Sequence, residues 1–404
     1  MAGVGRHALS WPRQSEMDFQ LTDEQRLIQE TARRIARERV APRAAELDET
    51  GEYPHDLFEA FREVGLLGLT IPQEHGGSGA GTLPLALAVE EVAKYCCSSG
   101  LVLLLSALPT HPILLGGSER QKQEWLPRAA RGEIKGAFCL TEPNAGSDAS
   151  AIESRALRDG DDYVLNGEKM YISGGTVADF VVAFAKTGAS NGTRGISGFI
   201  VPTDSPGFSV ARTDRKMGVR GVPTANIVFE DVRLPKEALL GEEEGQGFGH
   251  AMLTLNTLRP VVGARGVGLA EGAMTYALDF ARQRQAFGRP IAELQAIQFM
   301  FADMAIQIEA ARLLVYQGAW LVDQGKYRRE EAALLSIAKA YATEVAVKVA
   351  SDALQVLGAQ GYMMDHPLER HYRDARQLMI VEGTSQIQRV VIARALLERE
   401  LVYP

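Results

Sequence analysis

Cysteine is nearly missing from this 404-residue chain. Its three thiols, Cys96, Cys97 and Cys139, are too few and too unevenly spaced for a disulfide framework or a zinc site, and they fit a reducing compartment. Histidine is equally sparse at seven, with no His-x-x-x-His pair beside a glutamate, so no metal is expected. Long apolar runs are missing too. Tyr95 to Ser118 comes nearest, carrying no acid, Lys or Arg, but Pro109, His111, Pro112 and several Gly and Ser residues break it. A membrane-spanning helix needs about 20 apolar residues, so no membrane partner is expected and the chain reads as soluble. Excess positive charge is absent: 43 Lys+Arg against 51 Asp+Glu leaves −8, which argues against a phosphate-backbone footprint and a nucleic-acid partner. Residues 1–16 hold Arg6, His7 and Arg13 with no apolar core behind them, which disfavours a secretory signal. They read either as a short basic leader or, by preference, as an irregular N-terminal extension.

What is present is ordinary globular chemistry: 46% hydrophobic residues, 23% charged and 40 glycines, enough chain for two or three domains. The pattern falls into three zones. Over 17–133 it is helical. Thr22 and Gln25 have capping-box spacing, apolar residues then recur on one face until Pro42 stops them, and Pro54 opens a second helix that ends at Gly65. Over 134–245 short strands take over, with Asn166-Gly167 predicting a hairpin turn between Tyr163–Leu165 and Met170–Ile172, and the zone reads as an antiparallel β domain. Over 246–404 long helices are expected at roughly 247–284, 292–324, 330–357 and 376–398, which suggests a four-helix bundle. The fold class is α+β, ordered helix, sheet, helix.

Two segments carry candidate chemistry. Leu140 to Asp148 leaves a strand through a run of hydroxyls, small residues and backbone N–H groups suited to cradling a polar cofactor, and equally to making a plain turn. Glu382 follows the apolar run Leu378–Val381 at a helix start. Poor hydration there would raise its pKa and suit a general base, while a solvated acid favoured by the helix dipole is the plainer alternative. Gly263-Ala264-Arg265-Gly266-Val267-Gly268 lies inside a helical pattern and reads as close helix packing. No Walker loop, nucleophile elbow or dinucleotide G-x-G-x-x-G is found.

Taken together these segments resemble the acyl-CoA dehydrogenase flavoproteins, from about Leu21 to near the end. Leu140–Asp148 resembles the family's first signature, and Gln355–Tyr362, continuing to Arg373-Asp374, its second. Val381–Arg389 resembles the catalytic segment, and Arg284–Gly288 the cofactor-contacting turn between the first two bundle helices. The resemblance implies FAD and α,β-dehydrogenation of an acyl-CoA thioester to the trans-2-enoyl-CoA. Glu382 would be the base, and the enolate oxygen would be held by the Glu382 backbone N–H and a ribityl hydroxyl. It further implies that Phe138, Leu140, Thr141, Tyr171 and Ser173 line the flavin and that Ser147 meets the pyrophosphate. Thr384 and Gln386 would touch the dinucleotide. Arg284, Phe287, Gln355 and Gly358 would reach the FAD of a neighbouring subunit. Ser147, Arg259 and Gly383 fall on the substrate side, Arg259 with the alternative of a surface arginine at a helix start. Implied partners are an electron-transfer flavoprotein and further copies of the chain, as a tetramer built as a dimer of dimers. The implied location is cytoplasmic in bacteria, or the mitochondrial matrix in a eukaryote.

Some positions depart from the family pattern. Tyr171 stands where Trp or Phe is common, Ala359 for Gly, Ala286 for Thr and Val381 for Tyr, while Leu258 removes the alternative base of some branches. Two other readings compete: a flavin oxidase or monooxygenase of the same fold using oxygen, and a flavin-free helical scaffold.

Overall fold

The computed structural model describes residues 20–188 and 192–398, so the stretch 1–16 lies outside the described residues. Helix α1 (Asp23–Ile35) starts on the expected box: Thr22 Oγ1 accepts from the Gln25 amide and Gln25 Oε1 accepts from that of Thr22. Pro42 does not end it. α1 gives way at Ala36 to a π turn and then to a 3-10 turn that carries Pro42 in its first positions, and the chain stays helical into α2 (Ala44–Thr50). Proline is tolerated there because the first N–H groups of a helical segment need no partner. Pro54 caps α3 (His55–Glu63), which ends before Gly65 at φ 75°.

Helix α4 (Thr82–Ala93) is buried on every side, so its Glu90 and Glu91 must be paired. Arg312 Nε bonds Glu90 at 2.9 Å and Arg33 Nη2 bonds Glu91 at 2.9 Å. The apolar stretch 97–116 divides into α5 (Cys97–Ala107) and α6 (Thr110–Gly116), and 78% of its most apolar window is packed inside the fold. α7 (Glu119–Ala130) completes the first zone.

Strands β1 (Gly136–Cys139), β2 (Arg155–Asp159), β3 (Asp162–Ser173), β4 (Phe180–Lys186), β5 (Ile196–Pro202), β6 (Phe208–Thr213) and β7 (Thr224–Leu234) form one sheet, ordered β1-β4-β2-β3-β7-β6 with β5 on β4. It is mixed, not wholly antiparallel: β4 runs parallel to β1 and meets β2 in the same sense. The β2–β3 hairpin lies between β1 and β4 in sequence and supplies the long connection that parallel neighbours require. That hairpin turns at Gly160-Asp161, not at Asn166-Gly167. The latter pair sits inside β3, at an irregularity in its pairing with β7. Asn166 and Asp231 exchange two hydrogen bonds there, and a Cβ on Gly167 would overlap Ser154. The dipeptide serves a bulge instead of a turn.

The last zone holds α8 (Gly247–Gln283), α9 (Gln295–Asp323), α10 (Ala332–Leu357), α11 (Leu368–Leu378) and α12 (Ser385–Glu398). The glycine run of α8 is a packing seam, as expected. A Cβ on Gly263 would stand 2.7 Å from Val315 and one on Gly266 2.9 Å from the Ala342 carbonyl. The continuous helix expected over 376–398 is broken at 379–384, because Glu382 and Gly383 adopt φ 52° and 90°. That break places the candidate base.

Candidate active site

Glu382 sits in the turn between α11 and α12, in a left-handed conformation that costs a non-glycine residue about 1–3 kcal/mol. The turn is held from two sides. Lys339 Nζ on α10 donates to the Gly383 carbonyl at 2.8 Å, and Gln388 Nε2 donates to the same oxygen at 2.9 Å and to the Glu382 carbonyl at 3.3 Å. The residue is half-buried overall, but its Oε2 is sealed from solvent and has no hydrogen-bond partner among the described residues. Desolvation pushes the carboxyl up to about 7, against the pull of Arg265, Lys339 and Arg259. Neither the Glu382 nor the Gly383 amide N–H finds an acceptor among the described residues. The plainer alternative of a solvated helix-terminal acid is therefore set aside.

Three cations surround this carboxyl. Arg259 is 6% exposed within α8, so it is not a surface residue. Its Nη1 donates to Ser336 Oγ at 3.1 Å while its Nε has no partner, and burial lowers its pKa to about 10. Lys339 is fully buried without an ion-pair partner among the described residues, and burial lowers its pKa to about 8. Arg265, also fully buried, donates from Nη2 alone, to the Cys97 carbonyl and Sγ and to Gln377 Oε1 at 3.1 Å. Sequence reasoning singled out neither Lys339 nor Arg265, although a signal existed. Leu335, Lys339, Ala342 and Ala346 share the apolar stripe of α10, and Arg265 interrupts a run of small and apolar residues.

A second group gathers where β1 and β3 end. Phe138 is half-buried, its ring 5.1 Å from that of Phe184. Leu140 is buried and its carbonyl accepts from Lys169 Nζ, while the Thr141 carbonyl accepts from the Met170 amide at 2.9 Å, tying the loop to β3. Glu142, not foreseen as important, anchors the loop. It pairs with the fully buried Lys169 at 2.6 Å, accepts from the Glu153 and Ser154 amides, and closes a turn with Ala145 through two backbone bonds. Tyr171 is thrust outward at φ 60°, 61% exposed, at an irregularity between Lys169 and Ile172; Ser173 is half-buried and Ser147 exposed.

A third group lies on the outside of the bundle. Gln285–Ala286 and Arg289–Pro290 pair as a small ribbon, with Phe287 (φ 51°) and Gly288 (φ 77°) at its tip. Two positive φ values suit the primed turns that fit hairpin twist, and Phe287 is 90% exposed there. Arg284, Gln355 and Gly358 are exposed as well. Among the described residues no hydrogen bond or ring contact joins this group to Glu382 or to the β1–β3 group. Thr384 accepts from the Ile387 amide at 3.2 Å, starting α12, and Gln386 is exposed beside it.

The donor set fits a dinucleotide. The hydroxyls of Thr141, Ser147 and Ser173 make no hydrogen bond among the described residues, and an exposed aromatic ring flanks them. Hydroxyls and backbone N–H groups of this kind are what a pyrophosphate and a polyol chain require.

Comparison with known proteins agrees with this arrangement. Residues 22–133, 137–232 and 245–397 match the family models described as the acyl-CoA dehydrogenase N-terminal, middle and C-terminal domains. A probable acyl-CoA dehydrogenase of Bacillus subtilis is 44% identical over 95% of this chain and 100% of its own. The butyryl-CoA dehydrogenase of Megasphaera elsdenii superposes with a TM-score of 0.91 at 40% identity, over 94% of this chain and all of that one. A chain in the structure described as the electron transferring flavoprotein of Acidaminococcus fermentans gives the same TM-score at 44% identity, over 94% of this chain and all of that one.

Proposed function

The chain belongs to the acyl-CoA dehydrogenase family, and on that premise we propose that it dehydrogenates an acyl-CoA thioester between its α and β carbons, with Glu382 as the base. FAD, when bound, supplies the acceptor for the β-hydrogen and the passage of electrons onward. Every other demand falls on the protein. An α-C–H is a weak acid, so the base must be unhydrated and aimed, and the thioester oxygen must be hydrogen-bonded as charge develops on it. Glu382 meets the first demand with a sealed, unpartnered Oε2, which is the observation that carries this reading. The free amide N–H of Glu382 is the donor for the oxygen. Arg265, Lys339 and Arg259 keep the carboxyl ionisable despite its burial, with Lys339 and Gln388 fixing the turn that aims it.

Phe138, Leu140, Thr141, Tyr171 and Ser173 would hold the flavin, Ser147 the pyrophosphate, and Thr384 and Gln386 its far side. Arg284, Phe287, Gln355 and Gly358 would reach the dinucleotide of a second copy of the chain, their exposure in a single chain being the support. An electron-transferring flavoprotein is the proposed acceptor of the electrons, and the free hydroxyls around β1 and β3 support FAD as the cofactor. The test replaces Glu382 by Gln. FAD content should stay that of the wild type while anaerobic bleaching by acyl-CoA falls by at least about 100-fold, since a base contributes roughly 10²–10⁴. Full bleaching in that variant rejects the assignment.

A further inference from the structure

Away from the Glu382 turn, the cations packed into this chain are thoroughly satisfied. Lys169, fully buried, donates to Glu142 and to the Leu140 and Phe184 carbonyls. Arg373 spreads its guanidinium over Asp48, Glu369 and the Met217 carbonyl, and Arg312 over Glu90, Glu271 and Glu309. Arg265 breaks this habit. It has no exposure, and all three of its hydrogen bonds leave from Nη2 to neutral acceptors, while Nε and Nη1 are sealed without partners among the described residues. Asp374 bears on the same Cys97 thiol but turns its carboxylate to the Val219 amide and, among the described residues, takes no bond from Arg265. A structural staple would use the guanidinium fork, because an unpaired buried donor is costly to a fold. Left open, the two donors are what a ligand oxygen completes.

Their position says which ligand. Arg265 lies on α8 six residues beyond Arg259, packed against Gly100 and Cys97 of α5 and bonded to Gln377, the penultimate residue of α11, which leads into the Glu382 turn. The Gln377 carbonyl in turn accepts from the Ile380 and Val381 amides, so Arg265 is packed against the base of the turn that carries Glu382. A substrate with its α-carbon at Glu382 would run its acyl tail past that carboxyl toward these helices. Three cations bear on that one carboxylate, while Glu344 is engaged by Arg389 and Asp374 by the Val219 amide, which suits a second anion.

We propose that Arg265 is the specificity-determining residue at the inner end of the acyl site, and that it selects a short acyl group whose far end carries an oxygen acceptor, a carboxylate above all. The inference rests on the dehydrogenase reading and adds the substrate class to it. Its test compares glutaryl-CoA with pentanoyl-CoA, and adipoyl-CoA with hexanoyl-CoA, on the FAD-loaded enzyme with an artificial electron acceptor. Each pair has equal chain length and differs only in the terminal group. The wild type should favour the carboxylated ester at one of these lengths by at least about tenfold in kcat/KM, the scale of one charged hydrogen bond. Arg265→Met should abolish that preference mainly through KM, and Arg265→Lys should keep part of it. The ratio within a pair cancels any effect on Glu382 common to both esters. A wild type that prefers the plain acyl ester at both lengths overturns the proposal without any variant. Equal losses for both esters in Arg265→Met, with the acid limb of the pH profile moved upward, also overturn it and leave Arg265 a role toward Glu382 only. Absence of turnover and of flavin bleaching with all four esters instead overturns the dehydrogenase reading, and this inference with it.

Discussion

A carboxyl raised from 4.5 to about 7 is disfavoured in its ionised form inside the fold, although that form is the one able to remove a proton. Two outcomes follow at the scale of this residue. Activity should rise with pH: kcat/KM for a good substrate should climb through about pH 7 and level off above it, the limb reporting the free enzyme. Stability should run the other way. An acid whose folded pKa lies above its unfolded one destabilises the fold progressively between pH 4.5 and 7, and by a constant amount above. Glu382→Gln mimics the neutral acid and should therefore be more stable than the wild type at pH 8.5, by up to about 3 kcal/mol from the size of the shift. No gain is expected at pH 4.5. Melting curves of both proteins at the two pH values, at equal FAD content, check this; equal curves at pH 8.5 would remove the case for an uncompensated base. The apolar run ahead of Glu382 announced it in the sequence. Arg265 and Lys339 stayed hidden because burial of a cation depends on which helix face meets which neighbour, and one chain's periodicity hints at that without naming the neighbour.

At the scale of elements, the site is a failure of helix continuity. The apolar period of 376–398 predicts one helix, yet the chain breaks it at 379–384, where Glu382 and Gly383 turn left-handed. Local pattern could not foresee this, because the break is held by Lys339 and Gln388, and Lys339 arrives from another helix. Asn166-Gly167 misleads for the same reason: the dipeptide permits a turn, but β7 and Asp231 recruit it into a bulge. Gly383→Ala should show how tightly the break is set. Its φ of 90° strains any side chain and its Cβ would meet Gln388 Nε2 at 2.7 Å, so a loss of about 1–3 kcal/mol is expected by denaturant titration. Lys339→Met removes both a tether and a positive charge facing Glu382. Its kcat should fall roughly ten- to a hundredfold through misplacement of the base. Its acid limb should move to higher pH, because one of the cations lowering the Glu382 pKa is gone. Lys339→Arg keeps the charge and should restore the limb more fully than kcat. A limb that stays in place in Lys339→Met would mean that the lysine acts on the turn alone.

Across the whole molecule, the helix–sheet–helix order was readable because a change of period from 3.6 to 2 and back survives any error at single boundaries. Strand order was not readable, since β1 and β4 meet only after the β2–β3 hairpin has been made. The outer face of the bundle is where a single chain leaves most unexplained. Phe287 stands 90% exposed at a ribbon tip, in a left-handed conformation that a phenylalanine rarely accepts, and Arg284, Gln355 and Gly358 are exposed too. Strain and an apolar ring in solvent persist where something outside the chain repays them. If that something is a second copy together with its FAD, cofactor affinity and assembly are one equilibrium, because whatever binds only the assembled state stabilises that state. Arg284→Ala and Phe287→Ala should each lower FAD content after dialysis and shift the mass measured in solution toward smaller species, with added FAD restoring part of the mass. Thermal stability at low protein concentration should fall along with FAD content. A variant that loses FAD while its mass at matched concentration stays that of the wild type would place these residues on the chain's own cofactor. Unchanged FAD content and unchanged mass would reject the shared site altogether.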